Sequence, residues 1–123
     1  MASHASRWIY VAVIYFLVAV GLGVFMGASH DHSLLGVHAH MNLLGWVSMA
    51  LIGLVYHHFP QAGASRLADV QFWLFNAALP VMMVALGLML KGNAGIEPLL
   101  GATSVLVLLT VLLFAVNLLR HRA

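Results

Sequence analysis

Residues 98–119 read PLLGATSVLVLLTVLLFAVNLL, a run of 22 residues without a single Asp, Glu, Lys, Arg or His. A helix needs about 20 apolar residues to cross the hydrocarbon core of a bilayer, so the run predicts a transmembrane helix. The composition of the whole chain agrees, because 63% of its 123 residues are hydrophobic and only 7% are charged. A soluble domain carries about 25% charged residues, so an ordinary soluble enzyme and a disordered chain are excluded.

Three further stretches have a similar length and apolar character: 8–27, 37–59 and 70–90. The segments that join the four stretches are short, and short connections are typical of antiparallel neighbours. The sequence therefore predicts an all-α membrane protein, with four antiparallel transmembrane helices in one domain, residues 1–123. We expect the first stretch to be a membrane helix, because it is too long and uniformly apolar for a signal peptide. Pro80 is expected to kink or open the third helix.

The basic residues predict how the chain is oriented in its membrane. Lys91 follows the third stretch, whereas the arginines fall at the opposite ends of the stretches: Arg7, Arg66, Arg120 and Arg122. Basic residues concentrate on the cytoplasmic side. We therefore expect a bacterial inner (cytoplasmic) membrane, with both termini cytoplasmic and the His-rich segment 29–40 periplasmic.

Charge and cysteine content exclude several kinds of partner and cofactor. The net charge is only +2, with five Lys and Arg, whereas a nucleic-acid binder needs a basic face, so we expect no nucleic-acid partner. The chain has no cysteine, which excludes disulfides, iron–sulfur clusters, thiolate zinc sites and covalent c-type haem attachment. It has eight histidines, more than its Lys and Arg together. The candidate chemistry therefore lies with imidazole ligands.

Two histidine pairs flank the start of the second stretch: His30 with His32, and His38 with His40. Ionisable residues inside a membrane span are rare and usually functional. On an α-helix, residues two apart are separated by about 200°, so His38 and His40 point to opposite sides. They cannot easily chelate one metal ion, but each can serve a different site. The spacing alone leaves open interfacial histidines, a copper or zinc site and haem ligation.

Residues 38–60 read HAHMNLLGWVSMALIGLVYHHFP. This stretch resembles a ligand-bearing helix of subunit I of the haem-copper oxidase superfamily, which includes the nitric oxide reductases. That helix carries an H-x-H pair at its outer end and, about sixteen residues later, a His and an aromatic residue before Phe-Pro. The third stretch, from Phe72 to Pro80, is similar to the next helix of the same superfamily. The chain thus resembles a stand-alone, four-helix minimal relative of subunit I.

The resemblance implies an oligomer. Subunit I has twelve helices in three similar arcs of four, so three copies of this chain in a C3 trimer would supply twelve. In the oxidases the two histidines of the pair serve different haems. Carried over, His38 of one protomer and His40 of its neighbour would hold haem b through its iron. Such a haem has no open position and transfers electrons, with a quinol or a periplasmic redox protein as possible partner.

The resemblance also implies roles for residues around the haem. Asn42 and Trp46 lie one turn below the histidine pair and are expected to contact the porphyrin or to pack in the core. Met41 is an alternative axial ligand. The haem propionates require polar donors, and we expect these to come from residues at the same depth: Lys91, His30, His32 and Asn93.

Three alternatives remain open from the sequence. The first is a periplasm-facing copper-binding protein, with His30, His32, His38 and His40 as ligands, because imidazole suits copper. The second is a haem protein that reduces O2 or NO at an open iron site. The third is a structural subunit of a larger oxidase.

Overall fold

The computed structural model describes residues 4–122, and this part of the chain is helical and contains no strand. A π-helical segment, Met41–Ser48, joins α2 to α3, and a short 3₁₀ turn, Ala94–Ile96, precedes α6. The α-helices among these residues are, in chain order, α1 (Ser6–Ser29), α2 (Leu35–His40), α3 (Met49–His58), α4 (Pro60–Gly63), α5 (Arg66–Leu90) and α6 (Glu97–Arg120).

Within the described part of the chain, four helical spans are long and apolar enough to cross a membrane: Ser6–Ser29, Leu35–His58, Arg66–Leu90 and Ala94–Arg120. The second span contains α2, the π segment and α3 in continuous succession. The predicted stretches agree with these spans to within about one helical turn at each end. The predictions of an all-helical chain and of four helices suited to a membrane are therefore confirmed.

The ends of the long helices follow local sequence signals. Ser65 caps α5, since its Oγ accepts a hydrogen bond from the backbone N–H of Ala68 at 3.2 Å, as a serine before a helix commonly does. His30 ends α1 in the left-handed region at φ 58°. Pro80 lies inside α5, which continues as an α-helix across it.

The most extensive contacts between helices pair α1 with the second span and α5 with α6. Large side chains join the two pairs. The Trp8 ring on α1 meets the rings of Tyr56 and Phe72 edge-on, at centroid distances of 5.9 and 5.1 Å. Nearer the middle of the bundle, the Tyr15 hydroxyl donates to Oδ1 of Asn76 at 3.0 Å. The core therefore depends on a few large residues that bridge the spans.

The π-helical segment is the main departure from the predicted regular second helix. Gly45 lies in its middle and packs against Tyr15, so closely that a Cβ on Gly45 would lie 2.6 Å from Cγ of Tyr15. Ser48 Oγ donates to the Leu43 carbonyl five residues earlier at 2.7 Å. Stretches of π-helix are rare and frequently lie at functional sites. This one begins directly after His40.

Candidate functional site

His38 points into the chain, towards α1. Its Nδ1 lies 2.8 Å from the carbonyl oxygen of Ala19, and its ring covers Gly23. A Cβ on Gly23 would lie 2.8 Å from Cε1 of His38, which is closer than side chains approach. The ring is half-buried. The absence of a side chain at Gly23 is therefore what allows the imidazole to lie against the helix.

His40 lies two residues further on and is exposed. Its Nδ1 lies 2.7 Å from the carbonyl oxygen of Gly36, one turn earlier on the same helix. One imidazole of the pair is therefore directed at α1 and the other at the surface. This agrees with the angle of about 200° between residues two apart on a helix.

The two rings share one protonation pattern. A carbonyl oxygen only accepts hydrogen bonds, so Nδ1 must carry the proton in both His38 and His40. In the neutral form of each ring, Nε2 then keeps its lone pair. Histidines that bind metals almost always donate their other N–H to a carbonyl, carboxylate or water. Both side chains therefore have the hydrogen bond that is typical of metal-ligating histidines, with Nε2 as the nitrogen left to bind.

His121 shows the same local arrangement elsewhere in the chain. Its Nδ1 lies 2.9 Å from the Asn117 carbonyl oxygen, one turn earlier near the end of α6. A tethered Nδ1 is therefore not sufficient to define a haem site. What distinguishes the first pair is that two such rings leave opposite sides of one helix, next to a π segment.

The other residues predicted to contact a porphyrin have partners within the chain. Asn42 Nδ2 donates to the carbonyl oxygen of His38 at 3.1 Å. Trp46 stacks on Phe16 of α1, with ring centroids 4.5 Å apart and planes 15° apart. Met41 packs against the core. Asn42 thus fixes the backbone at the histidine pair, and Trp46 covers the adjoining face of α1.

The polar loops next to the histidine pair meet in one ion pair. Lys91 Nζ lies 2.9 Å from Oδ2 of Asp31, and both side chains are about half exposed. Asp31 Oδ1 also accepts from the backbone N–H of Ser33 at 3.0 Å. The hydrogen bond from Lys91 is the main cause that holds the pKa of the Asp31 carboxyl well below its usual range. His30 and His32 are exposed on either side of Asp31.

Residues 4–122 contain no group of three or more His, Asp or Glu side chains arranged to hold a metal ion. The copper hypothesis needs His30, His32, His38 and His40 to converge, which would require this end of the chain to rearrange. A haem with two axial histidines needs only two protein nitrogens. The donor chemistry of His38 and His40 fits that requirement, provided that the two nitrogens come from different chains.

A buried polar cluster near the other end of the second span was not foreseen from the sequence. The Tyr56 hydroxyl donates to Oε1 of Gln71 and accepts from Nδ2 of Asn117 at 3.0 Å. Ser65 Oγ lies 3.0 Å from Oδ1 of Asn117. Gln71 and Asn117 are fully buried. The available signal was the presence of an amide side chain within two otherwise apolar stretches.

Comparison with known proteins found no matching family model, no matching curated protein and no matching solved structure. The evidence on function therefore comes from the chain's own residues, and above all from the geometry of the His38–His40 pair.

Proposed function

We propose that the chain is a membrane-bound b-type haem protein that transfers electrons. In this proposal, His38 of one protomer and His40 of its neighbour are the axial ligands of the iron. One observation carries it: both rings donate from Nδ1 to a backbone carbonyl, 2.8 Å away for His38 and 2.7 Å for His40. Each Nε2 is therefore the ring nitrogen left for the iron.

The directions of the two rings support a haem between protomers. His38 faces α1 of its own chain, whereas His40 is exposed. Head-to-tail contacts, in which each chain offers the half-buried His38 on one side of the second span and the exposed His40 on the other, close into a ring where the rotation between neighbours allows it. A ring of three gives twelve helices and three haems. Within each protomer, the proposal has the four spans antiparallel, as the contact between Trp8 and Tyr56 supports.

Other residues would hold and orient the cofactor. Gly23 and the Ala19 carbonyl fix the His38 ring, and Asn42 fixes the backbone that carries it. Lys91 would offer its remaining N–H groups to a propionate, since its ammonium has three donors and Asp31 accepts from one. When bound, the haem supplies one-electron chemistry, and two axial ligands leave the iron no open position.

The proposed setting is the bacterial inner membrane. Arg7, Arg66 and Arg120 would face the cytoplasm with both termini, and the His38–His40 pair would lie near the periplasmic side. A haem at that depth can exchange electrons with a quinol in the bilayer or with a redox protein in the periplasm. These are the partners that the proposal includes, together with further copies of the chain and the lipid bilayer.

Absorption spectroscopy tests the proposal. The protein is expressed with ample haem, purified in detergent and reduced with dithionite, and the spectrum is recorded before and after addition of carbon monoxide. We expect a Soret band and a sharp α band on reduction, both unchanged by carbon monoxide. A shift with carbon monoxide would instead favour reduction of O2 or NO at an open site.

The same preparation distinguishes the remaining alternatives. A protein without any Soret band contradicts the proposal, and metal analysis would then test copper at the surface histidines. A protein that gains haem only as part of a larger oxidase would be a structural subunit. The His121→Ala variant is the control for variants of the proposed ligands His38 and His40. The His121 imidazole has the same Nδ1–carbonyl contact but lies near the end of α6. It is expected to retain its haem.

A further inference from the structure

A groove of about 350 Å³ opens on the surface between the second span and α5. Leu34, Val37 and Met41 form one wall, and Met83 and Gly87 belong to the other. Its lining is almost entirely apolar, and Lys91, directly after α5, lies at one end of it. An apolar groove with a cation at its end suits a ligand with a hydrocarbon chain and a charged head.

Helix packing makes the groove narrow. A Cβ on Gly36 would meet Leu90 at 3.3 Å, and a Cβ on Gly87 would meet Leu34 and Val37 at 3.6 and 3.7 Å. The two spans thus touch beneath the groove. An additional helix would need an interaxial distance of about 8–10 Å. A single acyl chain is slender enough, and about 12 Å of helix separates Met83 from Lys91.

The charges at the head of the groove select the kind of lipid. Lys91 donates to Asp31 at 2.9 Å, and an ammonium has three donors, so N–H groups remain for a phosphate. Asp31 and Glu97 outweigh Lys91 by one negative charge in the loops at this end of the spans, with histidines neutral. An anionic headgroup would add further negative charge. A headgroup with its own ammonium would place that group beside Asp31.

We infer that this groove binds one phosphoethanolamine lipid. One of its two acyl chains lies between the second span and α5, its phosphate accepts a hydrogen bond from Lys91, and its primary ammonium donates to Asp31. A phosphocholine headgroup lacks N–H donors, so it cannot donate to the carboxylate. A phosphoglycerol headgroup lacks the positive charge altogether. No histidine takes part. Lys91 has two N–H groups besides the one that Asp31 accepts, one for this phosphate and one for the proposed propionate.

Native mass spectrometry of the full chain tests this inference. Detergent-purified protein is mixed with equal amounts of phosphoethanolamine, phosphocholine and phosphoglycerol lipids that have identical acyl chains, and the retained lipid is counted. We expect one phosphoethanolamine lipid per chain in preference to the other two. Because Lys91→Gln removes the charged donor to the phosphate, it should lower the affinity for all three lipids about tenfold.

Two further variants test the headgroup contact and the apolar groove separately. Asp31→Asn removes the partner of the ammonium, so phosphoethanolamine and phosphocholine should then bind equally. Gly87→Leu places a large side chain on the wall of the groove and should prevent binding of all three lipids. Gly101→Leu on α6 is the matched control, because nothing lies within 4 Å of a Cβ at that exposed position. It should retain the lipid.

Three results would overturn the inference. They are equal retention of the three lipids by the unmodified chain, preferential retention of phosphoglycerol, and lipid binding that Lys91→Gln leaves unchanged. Lys91 and Asp31 are about half exposed, so their variants keep the test decisive if Gly87→Leu does not fold.

Discussion

Gly23 on α1 leaves free the space that the His38 ring of α2 occupies, since a Cβ on Gly23 would lie 2.8 Å from Cε1 of the imidazole. The contact holds the His38 ring beside the Ala19 carbonyl that its Nδ1 reaches at 2.8 Å. Position 23 therefore determines the orientation of a proposed iron ligand without touching the iron.

Gly23→Val should displace the His38 ring and break its hydrogen bond to Ala19. Overpacking of this kind costs about 1–3 kcal/mol, and in the proposed site it should also deplete haem. The measurements are the haem-to-protein ratio and the unfolding midpoint in detergent. Gly21→Val is the matched control, because position 21 lies on the same helix with nothing within 4 Å of its Cβ. Equal haem content in both variants would contradict the role given to Gly23.

Gly45→Ala should destabilise the chain, because the new Cβ would lie 2.6 Å from Cγ of Tyr15. Overpacking should cost about 1–3 kcal/mol, although Gly→Ala in a helix is otherwise favourable by about 1 kcal/mol. Gly101→Ala, at an open position on α6, should therefore be neutral or stabilising. Unfolding in detergent measures both. If Gly45→Ala is as stable as Gly101→Ala, Gly45 has no packing role in the π segment.

Tyr56→Phe should destabilise the polar cluster between α3, α5 and α6. The change leaves buried Gln71 without the donor and buried Asn117 without the acceptor that the hydroxyl supplies. An unsatisfied buried polar group costs about 1–3 kcal/mol. Tyr10→Phe is the control, because Tyr10 is 70% exposed. The free energy of unfolding in mixed micelles should fall for Tyr56→Phe alone, and an equal change in both variants would count against the cluster.

The Lys91–Asp31 contact predicts a specific response to pH. Because the hydrogen bond from Lys91 lowers the pKa of Asp31, the contact should persist at about pH 4, near the ordinary value for Asp. Its stabilising effect is present above that value and is lost as the pH falls through the lowered pKa. A carboxyl ¹³C NMR titration measures this, and Lys91→Gln should raise the pKa of Asp31. An unchanged titration would show that the ion pair does not form in solution.

The spans were predictable because a bilayer imposes a length and a composition that local sequence reveals. Residues 98–119 alone indicated the class, and the helical angle gave the divergence of His38 and His40. The structure confirms that residues 4–122 are helical and include four helices suited to a membrane. The haem, the trimer and the orientation in the membrane stay predictions.

The remaining features depend on contacts between residues far apart in the chain. In the π segment, Gly45 packs against Tyr15, thirty positions earlier. The local pattern of apolar residues in the sequence does not predict such a contact. Lys91 was predicted to meet a propionate, whereas its partner within the chain is Asp31, sixty positions away. The acceptor for His38 is a backbone carbonyl on another helix, which no residue type identifies. Tertiary geometry therefore supplied the evidence on ring orientation and protonation.

The most direct test of the account is the haem-to-protein ratio after co-expression of two variants, His38→Ala and His40→Ala, each of which alone should contain almost no haem. In a closed ring of three, a haem site is complete wherever a His40→Ala chain supplies His38 and the neighbouring His38→Ala chain supplies His40. Random mixing in equal amounts should therefore restore about one quarter of the haem of the unmodified protein. No recovery on co-expression, or full haem in either single variant, would contradict ligation between protomers.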